Sequence, residues 1–400
     1  MLKKVFIKNI IPLIISLTFG YYIYTKYLIT INTNNKQTEI SKINKNKTYS
    51  FVNYKKDNAL ISIISALKSK NTVLLIGSSE LRTKPTKYNA RPDLFFEKNK
   101  KKISVVAIGH DGNQCLSIYT QLLALNNYIK NAKISIIIST GWFEGHCAYG
   151  TSLDRFLEYN NEKFIRKIYN DTTIPNKFKN YLSKYIYNNY NDLIFPSILY
   201  KDIICKYKSD IFIGNKITML PLLEYYKYNN DNDTISLINE ELIFNYDIKL
   251  NNNNKINWDS LLTNSKKYQD SISTNNTWGI SNDYYETRIN GHISYEKINN
   301  IDRNIELKDF KMLLKLFKYY KVKASFIIQP LNPFAYGNLK DYKPIINEIT
   351  NEIDKNGYPY KNMFVYDTLK YEKGTLTDIM HFGEYGWFKV DKFLIDTYEK

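Results

Sequence analysis

The sequence predicts an α/β protein: a five-stranded parallel sheet with helices on both faces, one N-terminal transmembrane helix, and a largely helical insertion. Three observations predict it. Short, continuous apolar runs alternate with longer stretches of helical periodicity, the pattern of strands buried on both faces by crossover helices. Those runs end in polar segments holding glycine or proline, "GSSEL", "GHDGNQ", "STGWFEG" and "QPLNP". A parallel sheet gathers such exits at one edge, where ligands bind. Finally, residues 1–30 form an apolar stretch long enough to cross a bilayer.

That stretch comes first. Apart from Lys8 and Asn9, apolar or small residues run from Val5 to Tyr24. A spanning helix needs about 20 such residues. Lys8 can snorkel from near the helix end, and Tyr21, Tyr22, Tyr24 and Tyr27 would form an interfacial aromatic belt. No small-residue cleavage site follows, so the expectation is an uncleaved signal anchor. Lys3, Lys4 and Lys8 place the N-terminus in the cytoplasm. Residues 31–56 form a basic stalk of six lysines against one glutamate. No second span follows, so residues 57–400 are expected as an extracytoplasmic domain on a single-pass anchor in the cell membrane.

Within that domain, "NALISIISALKSK" (58–70) predicts a helix and "TVLLIG" (72–77) a buried strand. "ISVVAIG" (103–109) predicts the second strand. Residues 114–130 predict a helix, with Cys115, Ile118, Tyr119, Leu122 and Leu123 at helical spacing. "KISIIISTG" (133–141) is the third strand. The interval at about 152–308 breaks the rhythm with the asparagine tracts "NNDND" and "NNNN" and helix-like pieces between them. It reads as an insertion that caps the site. The rhythm resumes with a helix at 309–320, whose Phe310, Leu313, Leu314 and Phe317 share a face. A strand at 323–330, a helix at 342–357, a strand at 362–367 and a helix at 383–400 complete the chain.

Composition narrows the function classes. The net charge is +17 and there are 36 tyrosines. Tyr, Asn, Lys and Ile rise together under AT-rich coding, which accounts for part of the charge. The rest suits an anionic membrane surface or polymer. No basic helix interleaved with aromatics and no zinc-finger spacing points to nucleic acid. Cys115, Cys147 and Cys205 form no CxxC or Cys/His cluster, so neither a metal site nor a cofactor is expected. Whether Cys115 and Cys147 bridge is left open.

Three segments carry chemistry. Gly77-Ser78-Ser79 leaves the first strand at a glycine that lets the chain turn, which would present a hydroxyl beside a helix N-terminus. The competing reading is a serine N-cap with Glu80 in the first turn, favoured by the dipole. Asp378 and His381, three apart, would share one side of a helical turn. A histidine takes a serine's proton while a carboxylate on its other nitrogen sets the tautomer. Gly109-His110-Asp111-Gly112 offers the Gly112 N–H as an oxyanion donor and His110 as a rival base. His146 beside Cys147 is set aside because adjacent side chains point apart, and His292 reads as a surface residue of the insertion.

Together these segments resemble the SGNH (GDSL-like) hydrolase superfamily, and more closely its membrane-anchored DltD branch of D-alanyl-lipoteichoic acid biosynthesis. The blocks that carry the likeness are "GSSEL", Gly109 to Gly112, Trp142-Phe143, Pro330-Leu331-Asn332 and Asp378 to Trp387. The resemblance implies a three-layer sandwich, a Ser79–His381–Asp378 triad, and an oxyanion hole from the Ser79 and Gly112 N–H groups. It puts Trp142, Gln329 and Asn332 forward as substrate-side residues. It implies transfer of D-alanine, drawn ultimately from a carrier protein, with a membrane-bound O-acyltransferase partner, onto an anionic teichoic-acid-type polymer. The third block departs from the superfamily: "STGWFEG" holds no asparagine for the oxyanion hole. The same triad would also serve an O-acetyltransferase or esterase of another surface polysaccharide, and the same anchor a non-catalytic scaffold.

Overall fold

The computed structural model describes residues 18, 57–82, 87–99, 101–160, 162–193, 199–200, 203, 255–298 and 300–399. The chain divides into two units, Met1–Lys47 and Thr48–Lys400. The expected anchor, apart from Thr18, and the basic stalk lie outside the described residues. Among the described residues no helix is long and apolar enough to cross a membrane. The description below is of the second unit.

Five parallel strands form one sheet in the order β2-β1-β3-β4-β5. β1 spans Thr72–Gly77, β2 Ser104–Gly109, β3 Lys133–Ser139, β4 Lys323–Gln329 and β5 Tyr360–Asn362. Every residue of β1 and β2 is buried, which explains why these strands read as unbroken apolar runs. Their register pairs Gly77 with Gly109, so the two glycine exits leave the sheet side by side. Strand order reverses between β2 and β3, on either side of β1. The crevice beyond the carboxyl end of β1 is therefore the topological switch point of the sheet.

Among the described residues the longer helices are α1 (Asp57–Lys68), α2 (Pro92–Asn99), α3 (Cys115–Ala124), α4 (Leu153–Tyr159), α5 (Glu162–Asn170), α6 (Asn176–Asn188), α7 (Trp258–Ile272), α8 (Ile305–Tyr320), α9 (Lys343–Lys355) and α10 (Glu384–Tyr398). Alternation along β1 sorts them into two layers. Leu74 and Ile76 face a core built with α1, α3, α8 and α9, while Val73 and Leu75 face a core built with α2 and α10. The first core holds Phe310 of α8 edge-on to Phe326 of β4. The second stacks Phe95 of α2 on Trp258 of α7.

Most element boundaries fall within two residues of the expected ones, and the departures have local causes. α8 begins at Ile305 instead of Asp309 because the Asn304 side chain caps it, accepting from the Leu307 N–H. The helix expected over 114–130 breaks at Leu125 and resumes as the single turn Asn126–Ile129. β5 is short and displaced, ending at Asn362. The Asn362 side chain accepts from the Phe364 N–H, and this local turn takes the chain out of the ladder.

The insertion is largely helical where described, and its described helices before residue 194 do not form a lid. α4, α5 and α6 bury Phe156, Phe164 and Phe178 in the same core as α3, thickening one helical layer. Of its described helices, α4 reaches the strand exits, through Arg155 over Gly112 and through Tyr159. The second half borders the C-terminal loops. The Ser281 N–H donates to Thr377 O, and the Asn332 amide to Trp278 O.

Candidate active site

The loop leaving β1 is pinned from both sides. The Asn113 amide donates to Gly77 O at 3.1 Å, and Ser78 Oγ donates to His110 O at 3.2 Å. The chain then winds into a 3-10 turn, Ser79–Arg82. Glu80 sits in the first turn, where the dipole reading puts it, but its side chain folds back beneath the loop. It is 1% exposed, and its Oε1 accepts the Ser78 N–H at 2.6 Å. The carboxylate lies against the Cα of Gly77, where a Cβ would collide with Oε1. That close approach is why this position is glycine. Burial pushes the Glu80 pKa up to about 7, against the pull of the Ser78 and Glu80 N–H groups and of His381. Ser78 is thereby held inside the turn, and Ser79 is left half-buried at its mouth.

His381 arrives from the other end of the chain on a closed loop. Leu376 and Phe382 pair as an antiparallel bridge, and the Thr377 N–H donates to His381 O at 2.9 Å. The loop is not the helical turn that the spacing suggested. Asp378 instead organises it by accepting the Met380 and His381 N–H groups on Oδ1, at 2.8 and 2.7 Å. Its other oxygen, Oδ2, meets His381 Nδ1 at 2.7 Å, and His381 Nε2 lies 2.9 Å from Ser79 Oγ. An ionised carboxylate only accepts, so Nδ1 carries the proton and Nε2 presents a lone pair to the Ser79 hydroxyl. Burial opposes charging of His381. The hydrogen bond and charge of Asp378, with Glu80 and Asp111 beyond, outweigh it and raise the pKa above the ordinary histidine value.

The remaining candidates divide. Gly112 lies at the β2 exit with φ +72°, beneath the Arg155 side chain. Gln329 donates its amide to Met380 O, bracing the His381 loop, while its buried Oε1 has no partner among the described residues. Asn332 is fully engaged: its Oδ1 accepts the Phe334 N–H and its amide donates to Trp278 O. Trp142 follows β3 and is 5% exposed, packed in the main core. His110 is turned away from Ser79. Its Nε2 meets Arg82 at 3.2 Å and its Nδ1 meets the Tyr159 hydroxyl at 3.0 Å. His292 is exposed. Cys115 and Cys147 are free thiols. The expectation that His146 and Cys147 point apart is corrected, since Cys147 Sγ lies 3.6 Å from His146 Nε2. Burial, then Glu306, Glu144 and Glu296, push the Cys147 thiol pKa up, which disfavours a thiolate there.

Sequence reasoning missed three contributors. Glu80 does more than face the dipole, since its carboxylate holds the Ser78 N–H, and only its place directly after Gly-Ser-Ser signals this. Asn113 closes the β1 exit across to β2, although "GNQ" was in view. Arg82 bridges His110 and Asp111, the latter at 3.0 Å. Among the described residues no group of three or more His, Cys, Asp or Glu side chains is placed to hold a metal ion. A base in the right tautomer, oriented by a carboxylate and bonded to a serine hydroxyl, is an arrangement able to form an acyl-serine.

A family model described as "DltD protein" matches residues 28–399, nearly the whole chain. No curated protein matches the sequence.

Proposed function

The chain belongs to the DltD protein family, whose role is in D-alanylation of teichoic acid, and on that premise we propose that it transfers the D-alanyl group covalently through Ser79. The observation that carries the reading is the hydrogen-bonded series Ser79–His381–Asp378 at the carboxyl end of β1.

Ser79 Oγ attacks the carbonyl carbon of the D-alanyl donor while its proton passes to His381 Nε2. Asp378 holds the Nδ1 proton and steadies the imidazolium. The carbonyl oxygen, now an oxyanion, is met by the N–H groups of Ser79 and Gly112. His381 returns the proton to the leaving group as the C–O or C–S bond to the donor breaks, which leaves a D-alanyl ester on Ser79. A polymer hydroxyl then gives its proton to His381, attacks the ester and restores Ser79. In this reading the domain lies outside the membrane behind the N-terminal anchor. The donor reaches it from a carrier protein by way of a membrane-bound O-acyltransferase. The acceptor is an anionic polymer of teichoic-acid type, and the fold is of SGNH kind.

A serine-directed fluorophosphonate with peptide mapping tests the nucleophile. The adduct is expected on the Ser79 peptide and lost in Ser79→Ala, with Ser78→Ala still labelled. An adduct that maps elsewhere, or persists in Ser79→Ala, refutes the assignment.

A further inference from the structure

Opposite the triad, at the amino end of the sheet, the chain leaves a cavity of about 740 Å³. Five segments meet around it and none fills it: the end of α1, the start of β3, the start of β4, the turn from α9 into β5, and the last turn of α10. Five lysines line it, Lys68, Lys70, Lys130, Lys133 and Lys323, and no Asp or Glu is among its described lining residues. Lys133 and Lys323 are paired in register at the first rung of β3 and β4, so their positions are set by the sheet. Among the described residues, Lys70, Lys130 and Lys323 form no ion pair, although this protein pairs other surface lysines readily, as Lys311 does with Glu348.

The floor is rigid. Tyr398 is 9% exposed, and its hydroxyl donates toward Ile134 O at 3.1 Å and Lys323 O at 3.0 Å, tying β3 to β4. Lys133 Nζ lies 3.4 Å from Tyr398 O and 5.8 Å from the centre of that ring. One ammonium of the cavity is therefore held in place by the fold, and four more lysines line the same hollow. Like charges brought together without carboxylates raise the local potential, which an anion relieves. The donors are ammonium groups, compact point charges that suit the oxygens of phosphate, and no arginine fork for planar carboxylates is among the described lining residues. The volume lies within the range of true ligand pockets and exceeds what a single phosphate needs.

We propose that this cavity binds the phosphodiester backbone of an anionic polymer, holding one stretch of the acceptor chain while another reaches Ser79. The idea rests on the acceptor reading above. The sheet separates the two sites by roughly 20–25 Å, from strand rise, a span that a flexible repeating polymer bridges. Tethering at a second point raises the local concentration of acceptor hydroxyls without touching the chemistry. Loss of the cavity should accordingly raise the KM for polymer and leave kcat in place.

The test uses the full-length protein in detergent and a soluble glycerol-phosphate oligomer, with binding followed by calorimetry at two salt concentrations. Lys130→Glu/Lys323→Glu is expected to weaken oligomer binding by about tenfold or more and to flatten its salt dependence. Lys340→Glu/Lys343→Glu makes the same charge change at the opposite end of α9, about 20 Å away by helix rise. It is expected to have a much smaller effect. Fluorophosphonate labelling of Ser79 should be unchanged in both variants, which shows that they fold and separates this idea from the nucleophile assignment. Oligomer binding unchanged in the cavity variant, or weakened equally in both variants, would overturn the proposal. So would anionic phospholipid vesicles losing affinity in the cavity variant while the oligomer does not, since the ligand would then be a lipid headgroup.

Discussion

Replacing Asp378 with asparagine isolates what the carboxylate does to His381. The amide keeps the shape and one oxygen. That oxygen remains on the Met380 and His381 N–H groups, at the 2.8 and 2.7 Å contacts that close the loop. The NH2 group then faces Nδ1, where a carboxylate oxygen stood at 2.7 Å. A donor opposite Nδ1 obliges that nitrogen to accept, so the proton moves to Nε2 and the lone pair that faced Ser79 disappears. Loss of the working tautomer costs on the order of 10⁴ in the acylation step, or about 5.5 kcal/mol of barrier. The assay is the single-turnover rate of fluorophosphonate labelling as a function of pH. In the parent the rate should rise with pH through a limb above the ordinary histidine pKa, because neutral His381 is the base and its pKa is raised. Burial lowers that pKa and Asp378 supplies the leading upward contributions. The residual rate of the variant should therefore titrate at lower pH. Labelling by Asp378→Asn within tenfold of the parent, with an unshifted limb, would refute the reasoning.

Other consequences follow from the same geometry. Glu80 has a folded pKa of about 7 against 4.5 for the free side chain, so its contribution to stability is full below the unfolded value and is lost as pH rises through the folded one. Thermal unfolding should show a loss of stability between pH 4.5 and 7, of which Glu80→Gln removes an amount on the order of 3 kcal/mol. An equal pH dependence in the variant contradicts this. Gly112→Ala forces a left-handed backbone at φ +72° on a Cβ that meets Arg155. The urea midpoint should fall by the equivalent of about 1–2 kcal/mol, and an unchanged midpoint would remove the argument from strain. Phe310→Ala empties a fully buried site against Phe326 and should cost about 3–5 kcal/mol by chemical denaturation. A loss below 1 kcal/mol would show that the site collapses freely.

Regular elements were legible wherever burial wrote a period into the chain. β1 and β2 read as apolar runs because both faces are covered, and their glycine ends marked the exits that pair in register. The partnership of Asp378 with His381 was legible from a spacing of three, although the geometry behind it is a side-chain-organised loop and not a helical turn. β5 was misplaced because its end is decided by one asparagine side chain, Asn362, whose choice between ladder and turn has no periodic signature. The burial of Glu80 beneath the turn has no periodic signature either. A carboxylate at a helix start ordinarily stays in solvent, and only the space left by the missing Cβ of Gly77 lets this one fold beneath the turn. The lysine cavity was invisible because Lys68, Lys130 and Lys323 are scattered along the chain, and only the sheet register and helix ends bring them together.

The most direct test of the central claim is the amount of ester-linked D-alanine released from cell envelopes by mild base. Cells carrying Ser79→Ala at parental protein abundance are to be compared with cells carrying Ser78→Ala. Transfer through Ser79 predicts that Ser79→Ala reduces the released D-alanine to the level of cells lacking the protein, with Ser78→Ala retaining a substantial fraction. Parental levels of D-alanine ester in the Ser79→Ala cells would contradict it.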